Sequence, residues 1–144
     1  MKKAIAAILL LCLVILCGCS KPANMTNVSI DYGKSKVYSR QDMDSAISVI
    51  KKEFSKFEGC ELHSISFTSD GICKDNVGYC NTLREGAGLD KSIVFDESIV
   101  FESSFHTPKY GSDGFNPNEE YDGWNWVLAR QDNGAWKLLT WGYA

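Results

Sequence analysis

The feature that most restricts the fold is the stretch of residues 39–58, SRQDMDSAISVIKKEFSKFE. Its apolar side chains recur every three or four residues and form one stripe along a helix: Met43, Ala46, Ile47, Ile50, Phe54 and Phe57. Ser39 and Asp42 are spaced as a capping box, and Gly59 is placed to end the helix in a left-handed conformation. One helix cannot bury such a stripe alone, so the rest of the chain must supply an apolar surface.

That surface is expected to be a β-sheet. Strands are predicted over residues 60–68, 92–106, 123–131 and 135–143, with a weaker helical candidate at 76–86 and a long loop at 107–122. The predicted class is α+β, with one long amphipathic helix packed on a curved antiparallel sheet of about four strands. This layout is typical of cystatin-like and ketosteroid-isomerase-like cones.

The last two predicted strands meet at Asn133-Gly134, a strong hairpin signal. A two-residue turn there would pair Trp126 with Trp141, but it would also set Arg130 opposite a lysine. A three-residue loop would instead place Arg130 beside Trp136 in a cation–π pair. Both registers remain open at this point.

The first 19 residues have the pattern of a lipoprotein leader. Two lysines precede an apolar run over residues 4–17, which matches the core of a signal peptide and is shorter than the ~20 residues that span a bilayer. Leu16-Cys17-Gly18-Cys19 resembles a bacterial lipobox, which implies cleavage after Gly18 and lipidation of Cys19. The expected organisation is a signal peptide at 1–18, a lipid-anchored tether at 19–37 and a single α+β domain at 38–144.

Charge and export restrict the partners. Lys2 and Lys3 leave with the leader, so the formal charge changes from −3 to −5, and no cluster of basic residues marks a nucleic-acid surface. The expected location is the outer face of the cell membrane, with the membrane as a partner through the lipid and a protein or glycan partner left open.

Three cysteines remain after the lipobox: Cys60, Cys73 and Cys80. Because an exported domain is in a non-reducing setting, a local bridge between Cys73 and Cys80 is a candidate disulfide, which would stabilise the fold by ~2–3 kcal/mol. Free thiols are the alternative. Zinc is disfavoured because the spacing between Cys73 and Cys80 is wider than that of a zinc knuckle.

Three blocks carry a family resemblance, namely residues 38–62, 111–118 and 124–143. In this order they resemble a family of uncharacterised surface lipoproteins of Gram-positive bacteria, over roughly residues 37–143. The resemblance implies attachment to the outer face of the membrane and brings no activity with it. Residues 70–91 depart from the family pattern.

The sequence contains few groups for catalysis or metal binding. His63 and His106 could meet if their strands are neighbours, with Asp96, Glu97 or Glu102 as a carboxylate partner, but we expect two partly exposed histidines at strand ends. The oxygen-rich loop at 107–122 lacks the spacing of a calcium-binding loop. No catalytic residue, metal or cofactor is predicted.

Aromatic residues of the last hairpin form the candidate interaction surface: Trp124, Trp126, Trp141 and Tyr143. Core packing accounts for most of them, and an exposed face could bind a glycan or a protein. The favoured function is therefore a non-enzymatic binding module. The alternative is a small cone-fold enzyme, such as an isomerase or hydratase, with a pocket between helix and sheet. A cystatin-type inhibitor is disfavoured because the hairpin lacks the Q-x-V-x-G motif.

Overall fold

The computed structural model describes residues 21–112 and 114–143. The elements of this part follow in chain order: β1 (Ser29–Asp31), α1 (Arg40–Phe54), β2 (Glu61–Phe67), α2 (Asp70–Leu83), β3 (Glu97–His106), β4 (Glu120–Arg130) and β5 (Lys137–Gly142). The strands form one open sheet in the order β1-β2-β3-β4-β5, with β1 parallel to β2 and the other neighbours antiparallel. The α+β class is confirmed, but the part described holds two helices and five strands rather than one and four.

Helix α1 begins at the predicted capping box. The Ser39 hydroxyl accepts a hydrogen bond from the Asp42 amide at 3.1 Å, and the Asp42 carboxylate accepts one from the Ser39 amide at 3.0 Å. Helical geometry ends at Phe54, and a short turn leads to Gly59, whose φ of +70° is the expected left-handed conformation. The apolar stripe of α1 is buried, as the spacing predicts.

The main core lies between α1 and one face of the sheet. Because side chains alternate along a strand, β3 turns Ile99, Phe101 and Phe105 to this face, and all three are fully buried. Phe54 of α1 packs edge-on against Phe105, with ring centroids 5.5 Å apart. Trp126 of β4 pairs with Phe101 and completes this aromatic interior.

Helix α2 covers part of the face of the sheet opposite α1, where the sequence analysis predicts no packed helix. Ser69 caps it by accepting from the Ile72 amide, and the Ser98 hydroxyl and the Val100 amide donate to Cys73. The sequence predicts a loop at Asp70-Gly71 and only a weak helix at 76–86, whereas one helix runs from Asp70 to Leu83. The helix is hard to recognise because Cys73 and Cys80 are its only fully buried residues.

The position of Cys73 and Cys80 in α2 corrects the candidate disulfide. Seven residues along a helix separate two Cα atoms by about 10 Å, well beyond the ~5.5 Å of a disulfide. Cys60, Cys73 and Cys80 are all buried free thiols. Burial raises the pKa of Cys73 and raises that of Cys80 to about 11.

The final hairpin contains both of the registers that the sequence left open. Trp126 pairs with Trp141 as a two-residue turn requires, whereas Leu128 pairs with Leu138 as a three-residue loop requires, and a bulge separates them. The Arg130 guanidinium therefore lies 4.2 Å from the centre of the Trp136 ring, and the like charges are not opposed.

The segment predicted as a tether belongs to the domain from Lys21 onward. The Lys21 carbonyl accepts from the Gly59 amide at 2.7 Å, and Asn24 exchanges backbone hydrogen bonds with Cys60 and Leu62. Strand β1 then adds to the edge of the sheet. The signal peptide and Cys19 lie outside the described residues. Nowhere in 21–112 or 114–143 is there a helix with the length and hydropathy to cross a bilayer.

Candidate functional site

A groove of about 480 Å³ lies between α2 and the β3–β5 part of the sheet. The register of the strands builds its lower surface in two rows. Val100, Val127 and Thr140 are paired neighbours across three strands and form an apolar row. The next row on the same face contains Glu102, Asn125 and Gly142, and it is polar. We name this hollow the α2 groove.

The wall and rim of the α2 groove are rich in exposed apolar surface. Helix α2 contributes Ile72, Asn76 and Tyr79, whose spacing of three and four residues puts them on one helical face. Trp141 and Tyr143 border the groove along β5 and beyond it, while their rings pack on the other side of the sheet against Trp126 and Trp124. The three aromatic residues are 50% (Tyr79), 43% (Trp141) and 60% (Tyr143) exposed, although most other aromatic side chains in the described ranges are packed.

Several polar side-chain atoms in the groove have no hydrogen-bond partner among the described residues. The Glu102 carboxylate makes no hydrogen bond or ion pair there, and the Asn125 amide oxygen and the Thr140 hydroxyl accept and donate nothing. The Asn125 nitrogen donates to the Gly123 carbonyl at 3.2 Å, which holds the side chain in place. A ligand can therefore find unsatisfied polar atoms beside an apolar surface.

Glu102 also connects the groove to a polar extension of the sheet. A smaller hollow of about 170 Å³ shares Glu102 with Ser66, Ser104 and Asp122. The polar row itself continues from Glu102 to Ser66 and then to Asp31 on β1. Helix α2 does not cover these side chains, so the open part of this face is rich in hydroxyls and carboxylates.

The predicted interaction surface is divided by the structure. Trp126 is a core residue, fully buried, with its indole nitrogen donating to the Ser103 hydroxyl at 2.8 Å. Trp124 is half-buried against Phe105 and the ring of Tyr143. Only Trp141 and Tyr143 remain exposed. Trp141 stacks on Trp126 and Tyr143 lies against Trp124, so both rings are on the α1 side of the sheet and only border the α2 groove. Trp126 is thus corrected from surface to core, because its strand position points toward α1.

Sequence reasoning missed the α2 side of the groove. The sequence analysis does not single out Tyr79, Asn76 and Ile72, because it predicts a helix there only weakly and only from residue 76. Their i, i+4 and i+7 spacing is the signal that could identify this helical face. It can be recognised only when the segment is already assigned as a helix. From the sequence, Glu102 is a candidate only as a partner for a histidine or as a carboxylate near Asp96 and Glu97, for which a solvated face is expected.

The two histidines do meet, but through a different carboxylate. His63 and His106 approach the two oxygens of Glu120 at 2.8 and 3.2 Å, on the three neighbouring strands β2, β3 and β4. All three side chains are partly exposed. Glu97 instead binds Arg130, and Asp96 accepts from the Asp132 amide. No cluster of three or more metal-binding side chains with suitable geometry occurs in the part of the chain that is described.

A further hollow lies at the start of α1, but its charges are satisfied. Arg130 there binds Asp42 at 2.8 Å and also Glu97, and it stacks on Trp136. The hydrogen bond from Ser39 and the nearby Arg130 hold the pKa of Asp42 below its usual value. This network ties α1 to β4, and we assign it a structural role.

The fold and its groove define an α+β domain with a helix on each face of an open sheet. Comparison with known proteins gives no match, whether to a protein-family model, to a curated protein or to a solved structure. The arguments for function therefore rest on the chain itself.

Proposed function

We propose that the protein is a lipid-anchored binding module that holds a small ligand in the α2 groove at the outer face of the cell membrane. The observation that carries the proposal is that two exposed apolar side chains of α2, Ile72 and Tyr79, lie with unpaired polar atoms around one concavity. Its volume of about 480 Å³ falls within the range of ~300–1,000 Å³ that is usual for small-molecule sites. The lipobox at Cys19 and the family resemblance support the location.

Binding fits the groove better than catalysis does. Of its lining side chains, Glu102 alone is a carboxylate, and none is a histidine, cysteine or lysine. Acid–base catalysis generally needs two positioned groups or a metal, and the lining supplies one. The enzyme alternative expects a pocket between the long helix and the sheet, and Phe54, Phe105 and Trp126 pack in the space between α1 and the sheet.

The location is tested by replacing the proposed acceptor, Cys19→Ser, and fractionating cells. Wild-type chain should be recovered with the membranes, and the variant should be released or retained as unprocessed precursor. Palmitate labelling should be lost in the same variant. A variant that is processed, labelled and sedimented like the wild type would contradict lipid anchoring.

The groove is tested by filling it. The change Thr140→Trp puts an indole into the apolar row, and Ser48→Trp, on the exposed side of α1, is the matched control. A thermal-shift screen of small molecules on the full chain should find ligands that stabilise the wild type and Ser48→Trp but not Thr140→Trp. If every ligand acts equally on all three chains, or none acts, the groove is not the binding site.

A further inference from the structure

One end of the domain lies next to the residue that would carry the lipid. The Lys21 carbonyl accepts from the Gly59 amide at 2.7 Å. Pro108 packs directly on Gly59, where a Cβ atom would lie 3.1 Å from the proline ring. Cys19 precedes Lys21 by two residues, a length of chain that spans at most ~7 Å. A lipid on Cys19 would therefore hold this part of the domain at the membrane surface.

The topology of the sheet brings several segments to the same end. Strand β2 begins there and β3 ends there, because the two strands are antiparallel. For the same reason β4 begins there and β5 ends there. We name this the Gly59 end. The start of α1 and the turn of the last hairpin lie at the opposite end.

Exposed aromatic side chains are concentrated at the Gly59 end. Of the four in the described ranges, Tyr110, Trp141 and Tyr143 lie there, and Tyr79 on α2 is the fourth. Tyr110 is 89% exposed, at the tip of the turn that follows Pro108. Trp141 and Tyr143 lie at the end of β5 and just beyond it. Most of the exposed aromatic surface therefore faces one direction.

A cleft of about 430 Å³ connects these segments on the α1 side of the sheet. Phe57, Phe115 and Trp141 give it an apolar lining, and Lys56 and Ser112 contribute polar groups. Tyrosine and tryptophan are typical of the headgroup region of a bilayer, because each has an apolar ring and a polar group that stays hydrated. The Gly59 end has this combination of side chains.

Charge contributes little to this surface. Lys21 and Lys109 are exposed, but so is Glu58. Lys56 is paired with Glu53 at 2.6 Å. Attraction to anionic lipid requires a cluster of unpaired basic residues, which these mixed charges do not provide. Contact with a bilayer would therefore depend on the partition of aromatic rings into the interface.

We propose that the Gly59 end is a membrane-contact surface, with Tyr110, Trp141 and Tyr143 among the lipid headgroups beside the anchor. This inference rests on the lipid anchoring in the proposed function and adds a second contact that fixes the orientation of the domain. The bilayer is a better occupant than a soluble protein. A surface so close to the anchored residue leaves too little room for a protein between the domain and the lipid.

The test places a probe at each end of β3. Because Cys60, Cys73 and Cys80 are buried, a new cysteine in Lys109→Cys or Val94→Cys can be labelled with a fluorophore in the folded chain. Both positions are exposed, three residues beyond opposite ends of a strand that spans about 33 Å. The processed, lipidated chain is reconstituted in vesicles of phosphatidylcholine or phosphatidylglycerol that contain a lipid with a quencher at the headgroup.

Quenching at position 109 should be roughly threefold or more stronger than at position 94, in both kinds of vesicle. Tyr110→Ser and Trp141→Ser should each weaken the quenching at 109. Tyr110 packs on no other aromatic ring of the described residues, so its variant is informative even if Trp141→Ser disturbs the hairpin. Val37→Ser removes an exposed apolar side chain away from the Gly59 end and should have no effect.

The outcomes separate orientation from anchoring. The inference is overturned if an anchored chain shows equal quenching at both positions, stronger quenching at 94, or quenching only in phosphatidylglycerol. It is also overturned if Tyr110→Ser and Trp141→Ser leave the quenching at 109 unchanged. In these cases the Gly59 end is free to bind a soluble protein or glycan. A chain that fails to sediment with the vesicles would instead refute the anchoring, and both proposals would fail together.

Discussion

Asp42 is the residue at which local helix capping and tertiary packing depend on one carboxylate. One oxygen accepts from the backbone amide of Ser39 at 3.0 Å, as well as from its hydroxyl at 2.6 Å, and the other accepts from Arg130 at 2.8 Å. In Asp42→Asn the side chain keeps its shape, but one oxygen becomes an NH₂ group that faces a donor. At least one of the two interactions is then lost.

The magnitude follows from the two interactions and their exposure. Loss of a cap costs ~0.5–2 kcal/mol, and loss of a hydrogen bond to a charged group costs ~1.5–3 kcal/mol. Asp42 is 29% exposed, and Arg130 retains Glu97, so solvent and the remaining partner reduce the sum. We expect Asp42→Asn to lower the free energy of unfolding by about 2 kcal/mol, which corresponds to a fall in Tm of about 6–10 °C for a domain of this size.

The pH dependence gives the sharper test. The folded-state pKa of Asp42 lies below the ordinary value of 3.8, first because of Ser39 and then because of Arg130. A depressed pKa means that the charged form stabilises the fold above pH 3.8 and that this contribution disappears as pH falls through the folded pKa. Urea unfolding should therefore show the full difference between wild type and variant at neutral pH and a shrinking difference in acid.

The control is Asp75→Asn, an exposed carboxylate on α2 whose side chain makes no hydrogen bond or ion pair with the described residues. It should change the free energy of unfolding by less than about 0.5 kcal/mol. The reasoning is refuted if Asp42→Asn matches the wild type at neutral pH. It is also refuted if a difference exists but stays constant down to the lowest pH at which both proteins fold.

Three further outcomes are expected. Ser103→Ala should cost ~1–3 kcal/mol in urea unfolding because the buried indole N–H of Trp126 loses its acceptor; an unchanged midpoint would mean that the nitrogen finds another. Cys73 and Cys80, buried thiols with raised pKa, should resist alkylation in folded protein and react fully after unfolding; a bridged pair would not react without reductant. Glu120→Gln should change stability by less than ~1 kcal/mol because its two histidine partners are exposed, and a larger loss would contradict this assessment.

The sequence predicted elements whose signals are local and redundant. Helix α1 combines a periodic stripe, a capping box and a terminal glycine, and each of these is visible without any knowledge of the fold. The final hairpin is also predicted from local signals, because Asn133-Gly134 marks the turn. A two-residue turn and a three-residue loop at this point give two different registers. The structure keeps both by placing a bulge between Val127 and Leu128.

Elements that depend on tertiary partners were missed or only partly predicted. Strand β1 has three residues and forms because the edge of β2 is open to it, so the sequence indicates residues 28–30 only as an optional edge strand within the predicted tether. Helix α2 includes two glycines and two asparagines, all poor helix formers, and packing of Cys73 and Cys80 on β3 must offset their cost. To predict that His63 and His106 meet at Glu120, one must know that β2, β3 and β4 are neighbours in this order.

The groove exists because a short helix lies on longer strands. Helix α2 has 14 residues and is about 21 Å long, whereas β3 has 10 residues and spans about 33 Å. The helix cannot cover the full length of the strand, and the side chains of β3 on that face change accordingly. Ser98 and Val100 are buried next to α2, while Glu102, Ser104 and His106 continue into solvent.

The change from buried to polar residues along one face of β3 is visible in the sequence and can be used to predict where the covering helix ends. A face that is fully buried would continue with apolar residues, and a face that is fully exposed would lack Val100. The boundary between Val100 and Glu102 therefore marks where the cover of the sheet stops, and an apolar floor then adjoins a polar one. A ligand with an apolar part and a polar part would fit such a boundary.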